Sequence, residues 1–215
     1  MFRAITDHWK KFFSNPTYRY LFILTVVLLI VELTLFKNFL LFVEARKGVV
    51  LPDPLFNYFS ATDFNIPIFI IIYGSLSVGL ISLMQHPRHL MHALQTFIIM
   101  VLFRATVMYL MPLEEPAACI DLKDPLVFAV GTGQIITKDL FFSGHVASLT
   151  ILFLTAKNKY LKYIFLALTV TLAVLIFLQK NHYTIDIITA PFFVFAAWSL
   201  AKTIDSTIFF KFEHR

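Results

Sequence analysis

Long apolar runs separated by short polar breaks dominate the chain, and their lengths predict membrane-crossing helices. A helix needs roughly 20 apolar residues to cross a bilayer. Six runs reach or approach that length: Tyr20–Phe42, Phe64–Met84, Met91–Met111, Leu140–Ala156, Leu161–Gln179 and Tyr183–Ile204. The breaks are compact. Gln85-His86-Pro87-Arg88-His89 makes one turn, a lysine-rich segment from Lys157 to Lys162 makes another, and Pro112–Lys138 is the longest polar loop. Gly74, Ser75, Ser77 and Gly79 give the second run small-residue surfaces for close helix packing. The pattern predicts an all-α integral membrane protein, residues 1–215 forming one six-span domain.

Composition agrees with the pattern. The chain is 59% hydrophobic and only 14% charged, with 25 Phe among its 215 residues, far from soluble-protein usage. The net charge of +5 is no nucleic-acid footprint, because the basic residues flank apolar runs, where membrane anchors belong. Eleven of the 18 lysines and arginines fall on the side of the two chain ends, six fall on the other side, and Arg104 lies inside a span. The positive-inside rule therefore places both termini in the cytosol. Residues 1–19 mix Arg3, Lys10, Lys11 and Arg19 with Trp9, Phe12 and Phe13; they read either as a short interfacial helix or as a basic tail. The 19 fairly polar residues before the first run do not resemble a signal peptide. Compact loops and a short chain point to a bacterial inner membrane.

Two polar clusters stand out in Lys138–Pro191: Asp139-Leu140-Phe141-Phe142-Ser143-Gly144-His145 and His182-Tyr183-Thr184-Ile185-Asp186. The histidines are 37 positions apart, room for two crossings, which returns both to one membrane face, the non-cytosolic one by the charge bias. His182 and Asp186 are four apart and share a helix face. The carboxylate then orients one imidazole nitrogen and leaves the other free as nucleophile or base. His145 is placed to serve as partner acid or base. Ser143 and Gly144 sit where free helix-start N–H groups suit an anion such as phosphate.

This pattern resembles the type 2 phosphatidic acid phosphatase (PAP2) superfamily, and within it the sphingomyelin synthase-like branch. That branch has Ser-Gly-His followed by His-Tyr-Thr-hydrophobic-Asp. Phe103-Arg104-Ala105-Thr106 and the loop from Met111-Pro112-Leu113 to Cys119 are similar to its Arg-x-x-Thr segment and Leu-Pro loop. The resemblance implies a PAP2-like helical bundle and a membrane phosphotransferase. It would move a phospho-head-group from a phospholipid to a lipid alcohol, with His182 as phosphorylated nucleophile, Asp186 orienting it and His145 handling the proton. It implies no cofactor and no metal. The phosphatase Lys-x6-Arg-Pro motif is missing, and Leu175 and Ile176 stand where phosphatases of the superfamily have Ser-Arg. That turns the expectation from phosphatase toward transferase, and leaves Lys138, Lys180 and Arg104 to meet phosphate charge. A lipid phosphatase is the same-fold alternative. A non-enzymatic transporter or scramblase, with Glu32 and Arg104 lining a path, is the alternative of another class. Those two residues are the ionisable groups deep in spans and are expected to pair with each other. Glu114, Glu115, Asp121, Asp124 and Asp139 lie on the same side as the histidines; Asp139, beside the motif, is the one assigned to substrate binding.

Overall fold

The computed structural model describes residues 2–122, 133 and 136–213. Asp124 therefore lies outside the described residues. All seven α-helices are in place before any sheet is needed; among the described residues the extended backbone amounts to one isolated bridge, between Val49 and Leu113. The helices are α1 Phe2–Ser14, α2 Pro16–Ala45, α3 Asn65–Met84, α4 Pro87–Leu110, α5 Gly144–Thr155, α6 Lys159–Leu178 and α7 Thr184–Glu213.

Local chemistry explains the starts. Asn15 accepts hydrogen bonds from the N–H groups of Thr17 and Tyr18, with Pro16 at the first helical position of α2. Asn158 does the same for Tyr160 and Leu161 of α6. Pro87 opens α4. Five helices (α2, α3, α4, α6 and the Thr184–Ser206 part of α7) are long and apolar enough to cross a bilayer. Their outward faces carry large exposed apolar residues such as Ile23, Ile30, Ile70, Val170 and Phe192. In water such surfaces would be untenable; in lipid they are the expected ones. The chain is a multi-pass membrane protein.

The predicted span Leu140–Ala156 is the exception in length. Only Gly144–Thr155 is helical, 12 residues, or about 18 Å at 1.5 Å per residue against a hydrocarbon core of ~30 Å. It is also the innermost helix. Val146, Ala147, Leu149, Thr150, Ile151, Leu152 and Thr155 are buried, and α3, α4, α6 and α7 all pack on it. A central helix touched by protein on every side has no lipid to match, so it can be short. Its start meets the first turn of α7, where the Ser143 N–H donates to the Asp186 carbonyl.

The helix directions put both termini, the α3–α4 turn and the α5–α6 turn at one end. There α1 docks rather than floats: Trp9 donates from its indole to the Met84 carbonyl at 2.8 Å, and Phe12 is buried among Leu21 and Met91. The other end is a cap of connecting segments, of which residues 46–64, 111–122, 136–143 and 179–183 are described in full. Val49 and Pro112, and Glu114 and Val49, exchange backbone hydrogen bonds. Gly48 permits this approach, since a Cβ there would lie 2.5 Å from the Leu113 carbonyl carbon. Gln179, fully buried, accepts from Phe64 N–H and donates to the Ile120 carbonyl and the Asn65 side chain, tying three of these segments together.

Candidate active site

The catalytic-type residues come from the first turns of α5 and α7 and from His182, two residues before α7 begins. Asp186, on the first turn of α7, accepts at Oδ2 from His182 Nδ1 at 3.2 Å and from the Tyr183 N–H at 3.3 Å. Both His182 and Asp186 are buried. A carboxylate accepting at Nδ1 fixes the tautomer and leaves Nε2 as the ring's free lone pair. Asp186 Oδ1 has no hydrogen-bond partner. Asp53 holds the helix start itself, accepting the Thr184 N–H at 2.7 Å and the Leu55 N–H at 3.2 Å.

The two motifs are physically joined. The Ser143 N–H donates to the Asp186 carbonyl at 3.2 Å, and Ser143 Oγ caps α5 by accepting the Val146 N–H. His145, half-buried, follows two residues later on the same turn. The expectation that topology returns both clusters to one face is met by a direct backbone bond between them.

Backbone strain flanks each motif at the same offset. Phe141, two residues before Ser143, has φ 90°, and Lys180, two residues before His182, has φ 54°. Side chains larger than glycine rarely adopt such angles, at a cost of order 1–3 kcal/mol each. The surroundings that hold them are visible: Phe142 is fully buried and stacks on Phe193 at 4.7 Å, while the Lys180 ammonium donates to the Phe56 carbonyl at 2.7 Å.

Three cations were expected to meet phosphate charge, and the structure separates them. Lys180 is taken up by an aromatic pair, its ammonium 4.9 Å from the Phe59 ring centroid and 5.5 Å from that of Phe56. Lys138 binds Glu114 at 2.9 Å and the Arg46 carbonyl at 2.8 Å. Arg104 is the one brought against the motif. Its guanidinium lies over Gly144, so close that a Cβ there would fall 1.8 Å from Nη1.

Arg104 does not pair with Glu32, contrary to expectation. It binds Asp139, the arginine 8% and the carboxylate 32% exposed, and it lies near the Phe36 and Phe142 rings. The reason is reach: Asp139 is on the segment that delivers Ser143, whereas Glu32 lies about one turn along α2 from Phe36, toward the end that holds the termini. Neither Glu32 oxygen has a hydrogen-bond partner.

Residues not singled out from the sequence complete the site. The Tyr183 hydroxyl accepts the Leu51 N–H at 3.1 Å and donates to the Glu114 carbonyl at 2.9 Å. Burial pushes this phenol above its ordinary range, as the nearby Asp186 and Asp53 carboxylates also do, against the bond from Leu51. Glu114, read from the sequence as a solvated loop charge or a partner for a cationic head group, accepts hydrogen bonds from the Gly48 N–H and the Lys138 ammonium, and these bonds hold its carboxyl below the usual range. Glu44 accepts from the Thr137 and Lys138 N–H groups, anchoring the segment before Asp139. The available signals were weak: Asp53 between two prolines marks a turn, and Tyr183 lies inside the motif.

No curated protein matches the chain. Residues 138–203 match the family model described as PAP2 superfamily C-terminal, so the segment holding Ser143, Gly144, His145, His182 and Asp186 carries support for PAP2-type lipid phosphatase or phosphotransferase chemistry.

Proposed function

We propose that the chain is a membrane phosphotransferase of sphingomyelin synthase-like type, moving a phospho-head-group from a phospholipid to a lipid alcohol. The observation that carries this reading is the joining of the two motifs: a buried, carboxylate-oriented His182 beside a helix start that presents His145, with Arg104 lying on Gly144. His182 Nε2 attacks phosphorus, the bond from phosphorus to the diacylglycerol oxygen breaks, and His145 gives that oxygen its proton. In the second half, neutral His145 removes the proton from an acceptor hydroxyl, whose oxygen attacks the phosphorus and frees His182. Positioned acid–base help of this kind supplies about 10²- to 10⁴-fold. Arg104 is the cation for the phosphate oxygens, as a planar fork suits them; Ser143 and Gly144 offer the helix start. Asp139 takes its place in substrate binding by holding that guanidinium. Lys138 and Lys180 shape the cap over the site. The missing Lys-x6-Arg-Pro motif, and Leu175 and Ile176 in place of the phosphatase Ser-Arg, support transfer over hydrolysis. Both termini lie in the cytosol and the cap on the non-cytosolic side of a bacterial inner membrane.

The test is acceptor dependence in detergent, with a head-group-labelled phospholipid and with or without diacylglycerol or ceramide. Product should appear on the acceptor, and His182→Ala and Asp186→Asn should remove it. Phospho-head-group released to water irrespective of acceptor would make the protein a phosphodiester hydrolase instead, and free phosphate released from a lipid phosphate would make it a phosphatase. Lipid movement without bond cleavage, surviving both histidine substitutions, would make it a transporter.

A further inference from the structure

Glu32 is 9% exposed and neither of its oxygens has a partner. An ionisable group inside a span is costly and marks function by default, yet the site described above does not use this one. Its neighbours along α2 are informative. Leu21, Thr25, Leu28, Glu32 and Phe36 follow one another at intervals of four, three, four and four residues, which is one continuous helical stripe. Leu21, Thr25 and Glu32 of this stripe are buried while Leu28 is exposed, and α4 is the helix against which α2 packs most extensively.

The lower part of the stripe borders a cavity of about 170 Å³, formed with Gln95, Ile99 and Ala201. Its walls are almost wholly apolar, but Gln95 Oε1 is buried there without a partner. The upper end of the stripe is Phe36, whose ring lies 5.8 Å from the Arg104 guanidinium carbon. From Phe36 to Glu32 is one helical turn, about 6 Å, and from Phe36 to Leu28 about 12 Å. One leaflet's share of the hydrocarbon core is roughly 15 Å. A lipid whose polar end rests at Glu32, one turn from Phe36, would therefore extend its chain toward the cavity, whose lining suits hydrocarbon.

We propose that the seam between α2 and α4 is the binding track for the lipid alcohol that accepts the phospho-head-group. The acyl chain occupies the cavity, and Glu32 accepts a hydrogen bond from the alcohol's O–H or amide N–H, holding the acceptor one helical turn from the ring of Phe36 beside Arg104. This deepens the transferase reading and rests on it. A phospholipid fits less well, because its phosphate would meet the Glu32 carboxyl group, whereas an O–H or amide N–H supplies the donor that both oxygens lack.

Photolabelling tests the track without requiring turnover. Diacylglycerol and ceramide carrying a diazirine in the acyl chain are added to the purified full-length protein, and a phospholipid with the same chain serves as control. Labelled peptides are then mapped by mass spectrometry. Labels should concentrate on residues 21–32 and 95–99, compete with unlabelled lipid alcohol, and be weaker for the phospholipid. Glu32→Leu, which keeps an apolar seam, and Leu28→Trp, which fills the cavity, should each cut this labelling about tenfold, while Glu32→Gln restores much of it. Equal labelling by the phospholipid would overturn the proposal, as would labels spread evenly around the bundle. So would a signal that Glu32→Leu leaves unchanged; that variant decides if Leu28→Trp fails to fold. The transferase reading is judged separately, by loss of transfer in His182→Ala, so the two can fail independently.

Discussion

Replacing Gly144 by alanine is the most revealing single change at the site, because its effect must pass through another residue. A Cβ at this position would lie 1.8 Å from Arg104 Nη1 and 2.6 Å from Cζ. Ordinary contact needs about 3.5 Å, so the guanidinium must retreat by roughly 1.5 Å. It cannot do so freely, since it is 8% exposed, paired with Asp139 and bordered by the rings of Phe36 and Phe142. Weakening one charge-assisted bond of a largely buried arginine costs about 2 kcal/mol, discounted from the fully buried case because Asp139 is a third exposed. Alanine itself favours a helix over glycine by less than about 1 kcal/mol, so the net change is destabilising by about 1 kcal/mol. Activity should suffer more, because a misplacement near 1 Å can cost on the order of 10²-fold in rate. The assay is a double-mutant cycle of Gly144→Ala and Arg104→Ala, reading unfolding in detergent and head-group transfer. If the alanine acts by moving Arg104, it should cost little more once that arginine is gone, leaving a coupling well above ~0.5 kcal/mol. Additive penalties would refute the reasoning and return Gly144 to a purely backbone role.

Other parts of the cap and site make separate claims. Tyr183→Phe should destabilise by about 1–3 kcal/mol, seen as a lower unfolding midpoint, because it strips a buried hydroxyl from both the Leu51 N–H and the Glu114 carbonyl. Burial and then the Glu115 and Asp121 carboxylates push the Cys119 thiol up to about 12, so alkylation at pH 8 should run on the order of 10³-fold slower than for a free cysteine. Rapid labelling would contradict that environment. Because Glu114 titrates below its unfolded value of 4.5, its contribution is full above that pH and fades as pH falls through the folded value. Acid unfolding curves should show this loss in the wild type, and Glu114→Gln should flatten it.

The spans were legible because their signal is collective: some 20 apolar residues in a row outweigh any local ambiguity. The joined histidine motifs were legible for a different reason, the four-residue step from His182 to Asp186 and the two passages between His145 and His182, although His182 precedes α7 instead of lying on it. What the sequence obscured was pairing between segments distant along the chain. Glu32 and Arg104 looked like mutual partners because each needed one, yet side-chain charge does not encode reach, and Asp139 was nearer. Lys180 looked poised toward phosphate from its place two residues before His182. Its backbone is left-handed and the aromatic rings of residues 56 and 59 take up its ammonium, and neither is visible in a linear pattern. The length of α5 was hidden too, since Leu140–Phe142 is as apolar as a helix but adopts a strained, extended entry.

That short helix links the fold to the proposed chemistry. At about 18 Å, α5 falls short of the ~30 Å of the hydrocarbon core, and the Ser143 to Asp186 backbone bond joins its start to the first turn of α7. The burial of His182 and Asp186 there carries an electrostatic demand, since a phosphate brought against them leaves water behind. The cap neutralises its own lysine, with Glu114 on Lys138, and shelters Lys180 among aromatic rings. Among the described residues Arg104 is ion-paired with the partly exposed Asp139, and in the proposed reaction it is the cation that a phosphate recruits by exchanging one anionic partner for another. Such an exchange keeps the arginine paired throughout, so the cost of an orphaned buried charge is never incurred, and this is the physical sense in which Asp139 belongs to the site.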